Sequence, residues 1–302
     1  MSYLPGISPA RSWRRLTWGD ILLLAAALAL LVLLFFRARE ISGESWEWSS
    51  LRPYLWYRDE EGFHWGILIA GLFMTIRLGL WSLALALISG TLIGMLNAHV
   101  RGLAALPMRL YINLLRNTPP LVLLFLVFFF AGSFFSEPLL HIEALVQELP
   151  SGPQTLIHTL LAPPGQMDRM FAAVLTLGLY EGAYVAEIVR AGIESVPHSQ
   201  WEAAASQGFS PWQQQRYIIA PQALRVILPP LVGQTISIFK ETTLASIISL
   251  PELTFQSLEV MAVTRITYEL WFITALLYLG LSLFWSRLGA WLEHRQKWRP
   301  VE

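Results

Sequence analysis

Long unbroken runs of apolar residues dominate this chain, in place of strand-like alternation or an amphipathic helical repeat. A run of about 20 apolar residues matches the roughly 30 Å hydrocarbon core of a bilayer when coiled as a helix. Six such spans are expected, at 18–36, within 65–97, and at 110–135, 170–189, 228–250 and 268–288. The stretch 65–97 exceeds a single crossing. Counting back about 20 residues from Asn97 puts Arg77 at the outer rim, where its head group reaches water, and leaves 65–76 as an interfacial lead-in. The Gly/Pro-rich stretch 132–165 reads as an outer loop that spans nothing. The first run follows Arg11, Arg14 and Arg15 as a signal peptide would. It lacks a small-residue cleavage pattern and meets Arg37 and Arg39, so it reads as a retained span. The expected fold class is an all-α integral membrane protein with about six transmembrane helices. No half of the chain repeats the other, so any two-fold symmetry requires a second subunit.

Composition agrees with that class. The 302 residues are 55% hydrophobic and only 14% charged, where soluble domains carry about 25% charge. The lack of cysteine excludes disulfides and thiolate metal sites. A formal net charge of zero argues against a nucleic-acid partner. The placement of charge is more informative than its sum. With the amino terminus inside, most basic residues fall on the cytoplasmic side, among them Arg101, Arg109, Arg116, Arg190, Arg216, Arg225 and Arg287. The outer segments carry acids instead, including Glu40, Glu44, Glu47, Asp59, Glu60 and Glu61. Both termini are therefore expected in the cytoplasm. Tryptophans near span ends, such as Trp18, Trp65 and Trp291, read as anchors to membrane lipid at the interface. The histidines show no metal-ligand spacing, and no nucleophile–base or metal set suggests catalysis by this chain.

The segment between the fourth and fifth spans, His198-SQWEAAASQGFSPWQQQRYIIAPQALR-Val226, carries the densest local signals. Ser199 with Glu202 reads as a capping box, Ala203, Ala204 and Ala205 as strong helix formers, and Gly208 as a left-handed helix terminator. Ser210, Pro211 and Gln213 start a second helix with another capping box, and Pro221 is expected to stop it. Two short cytoplasmic helices joined at a glycine serve either as a connector that caps the bundle or as a docking element.

Glu202, Ala203, Ala204, Gly208, Ile218 and Pro221 fall at the spacing E-A-A-x3-G-x9-I-x-L-P, which resembles the signature loop of importer-type ABC permeases. Ala220 departs from the pattern where leucine is usual. The stretches Arg116-NTPPLVLL-Phe125, Ala183-YVAEIVRAG-Ile193 and Lys240-ETTLASIISLPE-Leu253 look like those of polar amino-acid permeases, the histidine/glutamine/glutamate group. The resemblance implies a permease core over 65–295, with its coupling loop at 190–226. An added amino-terminal segment, 1–64, carries an extra span before the five-span core, and a short cytoplasmic tail occupies 296–302. It also implies a bacterial inner-membrane complex with ATPase subunits, a second permease subunit and a soluble binding protein that delivers an amino acid. An opine, a polyamine or an organic anion is the alternative cargo. No phosphate-binding G-x4-G-K-[ST] occurs here, so ATP and Mg belong on the partner ATPase.

Ionisable residues inside a membrane face a cavity or a partner by default. Glu181 lies halfway along the fourth span. Lys240 and Glu241, followed by Thr242 and Thr243, lie halfway along the fifth at similar depth. Two readings stay open: a buried ion pair that fixes helix register, or a polar wall for cargo, with Lys240 taking a carboxylate and Glu181 an ammonium. Glu181 falls where the resembled family has small or hydroxyl residues. Glu187 and Arg190 read as a structural i,i+3 pair. Thr118 and Pro119, with Pro120, interrupt the third span and join the candidate substrate pathway, and Pro229–Pro230 interrupt the fifth. Ser82, Ala86, Gly90 and Gly94 form a period-four stripe for close helix packing.

Overall fold

A computed structural model describes residues 48–60, 62–264 and 266–297, with isolated positions between 22 and 37. The expected first span, Trp18 and the amino-terminal arginines lie outside the described residues. The chain divides into two units, Met1–Trp48 and Ser49–Glu302. Helix α1 (Trp48–Leu55) leads into a hairpin of β1 (Trp56–Asp59) and β2 (Gly62–Trp65), and then into α2 (Ile67–His99). Next come α3 (Leu106–Arg116), α4 (Pro120–Phe125), a π turn over Leu126–Ala131, α5 (Gly132–Gln147) and α6 (Ser151–Leu160). The long α7 (Met167–Glu194) is followed by α8 (His198–Ser206), α9 (Pro211–Gln213) and a second π turn, Gln214–Ile219. Finally α10 (Ala220–Glu241) passes through a 3-10 segment, Thr242–Ile248, to α11 (Leu253–Val263) and α12 (Thr267–Lys297).

Among the described residues the protein is all-α apart from the hairpin. Among the described residues, α2, α7 and α12 are long and apolar enough to cross a membrane. Gly102–Arg116 with Pro120–Phe130 makes a fourth crossing if that pair, bent by 106°, counts as one span. The expected span at 110–135 is thus broken, at the prolines that were expected to interrupt it. α3 ends at Arg116, Pro119 stands at the N-cap of α4 and Pro120 at its first turn. Proline lacks the N–H that would continue the ladder and drives the residue before it out of helical geometry.

Two further expectations are corrected. α2 is one unbroken helix, so 65–76 is no separate lead-in. Arg77 donates to the His158 carbonyl (3.1 Å) and Trp81 to the Leu160 carbonyl (2.8 Å). Both side chains satisfy free carbonyls at the end of α6, where a positive group is also favoured by the helix dipole. The 132–165 stretch is mostly helix, not loop. Pro150 is the N-cap of α6 and Pro153 lies in its first turn, where the missing N–H costs nothing.

α2 and α7 form the centre of the bundle. Ser82, Ala86, Gly90 and Gly94 are all buried on α2. A Cβ on Gly90 would lie 2.6 Å from the Gly182 carbonyl oxygen, and one on Gly94 2.5 Å from that of Ala186. The stripe therefore permits the backbone approach its period predicted. One apolar cluster joins Leu78, Leu124, Leu177 and Ile248, a second joins Val185, Val189, Ile219 and Ile238, and a third joins Leu51, Leu68, Leu253 and Leu270.

Candidate functional site

The segment between α7 and α10 departs in two details from its sequence reading. α8 begins at His198 with Pro197 as its N-cap, so Ser199 and Glu202 form no capping box. The Glu202 carboxylate lies 3.1 Å from His198 Nδ1 instead. Gly208 does take the left-handed conformation, at φ +81°. The Phe209 N–H donates to the Ala204 carbonyl (3.2 Å) and the Gly208 N–H to that of Ala205 (3.0 Å). This pair of bonds is the Schellman closure, which satisfies carbonyls that a helix end leaves free. Ser210 and Gln213 form the expected capping box, with Ser210 N–H to Gln213 Oε1 at 2.8 Å and Gln213 N–H to Ser210 Oγ at 3.4 Å.

Pro221 does not stop the second helix. The Ala220 N–H reaches back five residues to the Gln215 carbonyl, and Pro221 enters at the first turn of α10. The π turn absorbs the proline without ending the helix. Ala204 and Ile219 are buried and Ile218 packs on the same cluster, while Glu202 and Ala203 are exposed with Trp212 and Tyr217. One side of the element is thus fixed to the bundle and the other left open. His99 meets Trp201 edge-on at 5.9 Å, beside a cavity of about 480 Å³ lined also by Arg101, Glu194 and His198.

In the bundle, the structure brings Glu181 to Glu241 rather than to Lys240. The two carboxyls are neighbours, close enough to act on one another. Gln234 Nε2 donates to Glu181 Oε2, while Glu181 Oε1 and Glu241 Oε2 are buried without a partner. Lys240 is exposed on α10 and forms no ion pair with either acid. The Glu181–Lys240 pair left open by the sequence is therefore not made. Thr242 and Thr243 donate back to the Phe239 and Lys240 carbonyls (2.8 and 3.0 Å), and Thr118 to that of Leu114 (2.7 Å). These hydroxyls close helix ends. Two acids in contact inside a bundle call for a cation or a shared proton between them.

Gln234 was missed in the sequence although it lies seven residues before Glu241, two turns along one helix face. Around the acids, Tyr180 and Tyr184 pair hydroxyls at 3.2 Å, and the Arg116 guanidinium lies 5.1 Å over the Tyr184 ring. The expected Glu187–Arg190 pair forms at 2.5 Å, with Glu194 also bound to Arg190 at 2.6 Å. A second buried acid, Glu252, and its partners Thr75 and Tyr278 were also missed.

Known proteins are similar to this chain along most of their length. The glutamine transport system permease protein GlnP of Escherichia coli (strain K12) is 30% identical over 251 residues, covering 83% of this chain and 98% of that protein. The octopine transport system permease protein OccM of Rhizobium meliloti is 30% identical over 241 residues, covering 78% and 90%. The crystal structure of an amino acid ABC transporter with histidines superposes with a TM-score of 0.58 at 30% identity, covering 76% of this chain and 94% of that one. Residues 90–298 match the family model for the binding-protein-dependent transport system inner membrane component. The chain belongs to that family of transporter permeases.

Proposed function

We propose that this chain is the membrane-spanning permease subunit of an ATP-driven importer that takes up polar L-amino acids delivered by a soluble binding protein. In this reading it pairs with a second permease subunit and two ATPase subunits that hold ATP and Mg. It resides in a bacterial inner membrane with both termini in the cytoplasm. Residues 65–295 form the permease core and 190–226 the coupling loop.

The observation that carries the reading is the α8–Gly208–α9 element. Its Schellman closure and capping box give it a fixed shape, and its outer side, with Glu202 and Ala203, is free for an ATPase cleft. Amino-acid cargo is supported by the glutamine permease relative. The octopine permease relative favours an opine as the second reading. Within the bundle, Glu181 and Glu241 are the groups suited to a positive charge on the cargo. Thr118, Pro119, Thr242 and Thr243 shape the path at helix ends, and Lys240 acts from the exposed side.

Gly208→Val tests the coupling role, because a β-branched residue is strained at φ near +81°. The variant should insert normally and lose transport together with cargo-stimulated ATP hydrolysis; unchanged stimulation would sink the docking reading. Orientation is tested separately by single cysteines, since the chain has none of its own. Glu148→Cys should label from the periplasm, and Gln207→Cys only after permeabilisation. Reversed labelling overturns both the orientation and the ATPase contact.

A further inference from the structure

We propose that the β1–β2 hairpin is a lipid-surface anchor, with the face bearing Trp56, Phe63 and Trp65 resting at the boundary between phospholipid headgroups and acyl chains. The pairing puts Trp56 opposite Trp65 and Arg58 opposite Phe63. Successive strand residues point to opposite sides. Trp56, Arg58, Phe63 and Trp65 therefore share one face, and Tyr57, Asp59 and His64 the other.

The two faces differ in chemistry. On the first, Trp56, Phe63 and Trp65 are 42, 56 and 58% exposed, and Phe63 meets Trp65 edge-on at 5.0 Å. Large aromatic side chains at the start of an apolar helix suit the interfacial layer. On the second, the His64 ring stacks on Tyr57 at 5.2 Å and its Nε2 lies 3.0 Å from Asp59. Asp59 also accepts the Gly62 N–H at 3.1 Å. Charged and polar groups of this kind belong in water.

Position fixes the occupant. A single residue, Gly66, joins β2 to α2, and its N–H donates to the Leu55 carbonyl at 2.8 Å. With no slack at its base, a four-residue hairpin extends only about 13 Å from the end of a membrane helix. Its aromatic face turns toward the flank of α2, where Trp65 meets Phe73 edge-on at 6.3 Å. Phe73 and Leu80, two turns apart on that flank, are themselves 50 and 45% exposed. The hairpin face thus continues the apolar side of a spanning helix out to its end. Arg58 on the same face supplies a cation at phosphate level. This placement depends on α2 crossing the membrane and not on cargo or coupling.

The natural lack of cysteine makes the test direct. Spin labels are placed singly through Phe63→Cys and Tyr57→Cys, in the permease with its ATPase subunits. The host vesicles are phosphatidylethanolamine and phosphatidylglycerol. The ratio of collision with oxygen to collision with a water-soluble nickel chelate should be several-fold higher at 63 than at 57. A label at Leu80→Cys, beyond the reach of Trp65, reports whether α2 is in place in every preparation. Replacing Trp56 and Trp65 with serine should lower the ratio at 63 and leave that at 80 unchanged. Equal nickel access at 57 and 63 overturns the proposal, because the hairpin then stands in water. Shielding of 63 from both reagents overturns it too, because a protein partner then covers the face.

Discussion

Glu252 and Glu181 are equally withdrawn from solvent, at 0 and 1% exposure, yet their surroundings treat them in opposite ways. Glu252 precedes α11 and accepts the Thr254 and Phe255 N–H groups at 3.0 and 2.7 Å, as an N-cap does. The Tyr278 hydroxyl adds a bond at 2.7 Å and Thr75 one at 3.4 Å, so one carboxyl ties α2, α11 and α12 together. Glu181 receives a donor only from Gln234, leaves an oxygen unpartnered and faces a second acid. Burial alone does not separate structural from functional acids. The two differ in the number of donors around each, and an unsatisfied buried group calls for a further partner.

The sharpest way to break this contrast is to remove the structural acid. Glu252→Ala strips a cap and leaves buried donors unpaired, at a cost of about 3 kcal/mol. It should lower the thermal midpoint and folded yield in detergent; a midpoint at the wild-type value would contradict the assigned role. Gln234→Leu comes next, at about 2 kcal/mol, because Glu181 then loses its donor. Adding Glu181→Leu should restore much of that loss. If it does not, Gln234 serves some partner other than Glu181. Tyr278→Phe deletes one of several bonds to Glu252 and should cost about 1 kcal/mol in the same assay. Smallest in stability is Glu181→Gln, within about 0.5 kcal/mol, since it relieves the contact between two acids. It should instead change the order of preferred cargoes in vesicles. Normal selectivity in a well-folded Glu181→Gln protein would remove Glu181 from the cargo path.

What could be read from the sequence was what local chemistry decides. Gly208, Ser210 and Gln213 set their own backbone geometry, and each took the conformation its residue type favours. The period-four stripe on α2 was legible for the same reason, because spacing along one helix defines a face. Errors arose where two local signals competed. Pro197 caps α8 two residues before Ser199, and the π turn lets the helix run through Pro221. Pro119–Pro120 were visible as an interruption, but the 106° bend depends on how α3 and α4 pack. The Glu181–Glu241 contact and the Glu252 network lie beyond sequence reach. They join residues 26 to 177 positions apart on different helices, and depth along a span does not specify which face meets which.

The unbroken path from Pro211 to Glu241 has a mechanical consequence. At about 1.5 Å per residue it is a rod of roughly 45 Å, with the capping box at one end and the acid pair at the other. A sideways push meets the π turn and Pro229–Pro230, where ladder bonds are already missing, and is spent as bending there. The path therefore bends most readily at those two places, which lie between the capping box and the acid pair. Bending at Pro229–Pro230 changes the angle at which Gln234 and Glu241 meet Glu181 without any break in the backbone between them and the capping box.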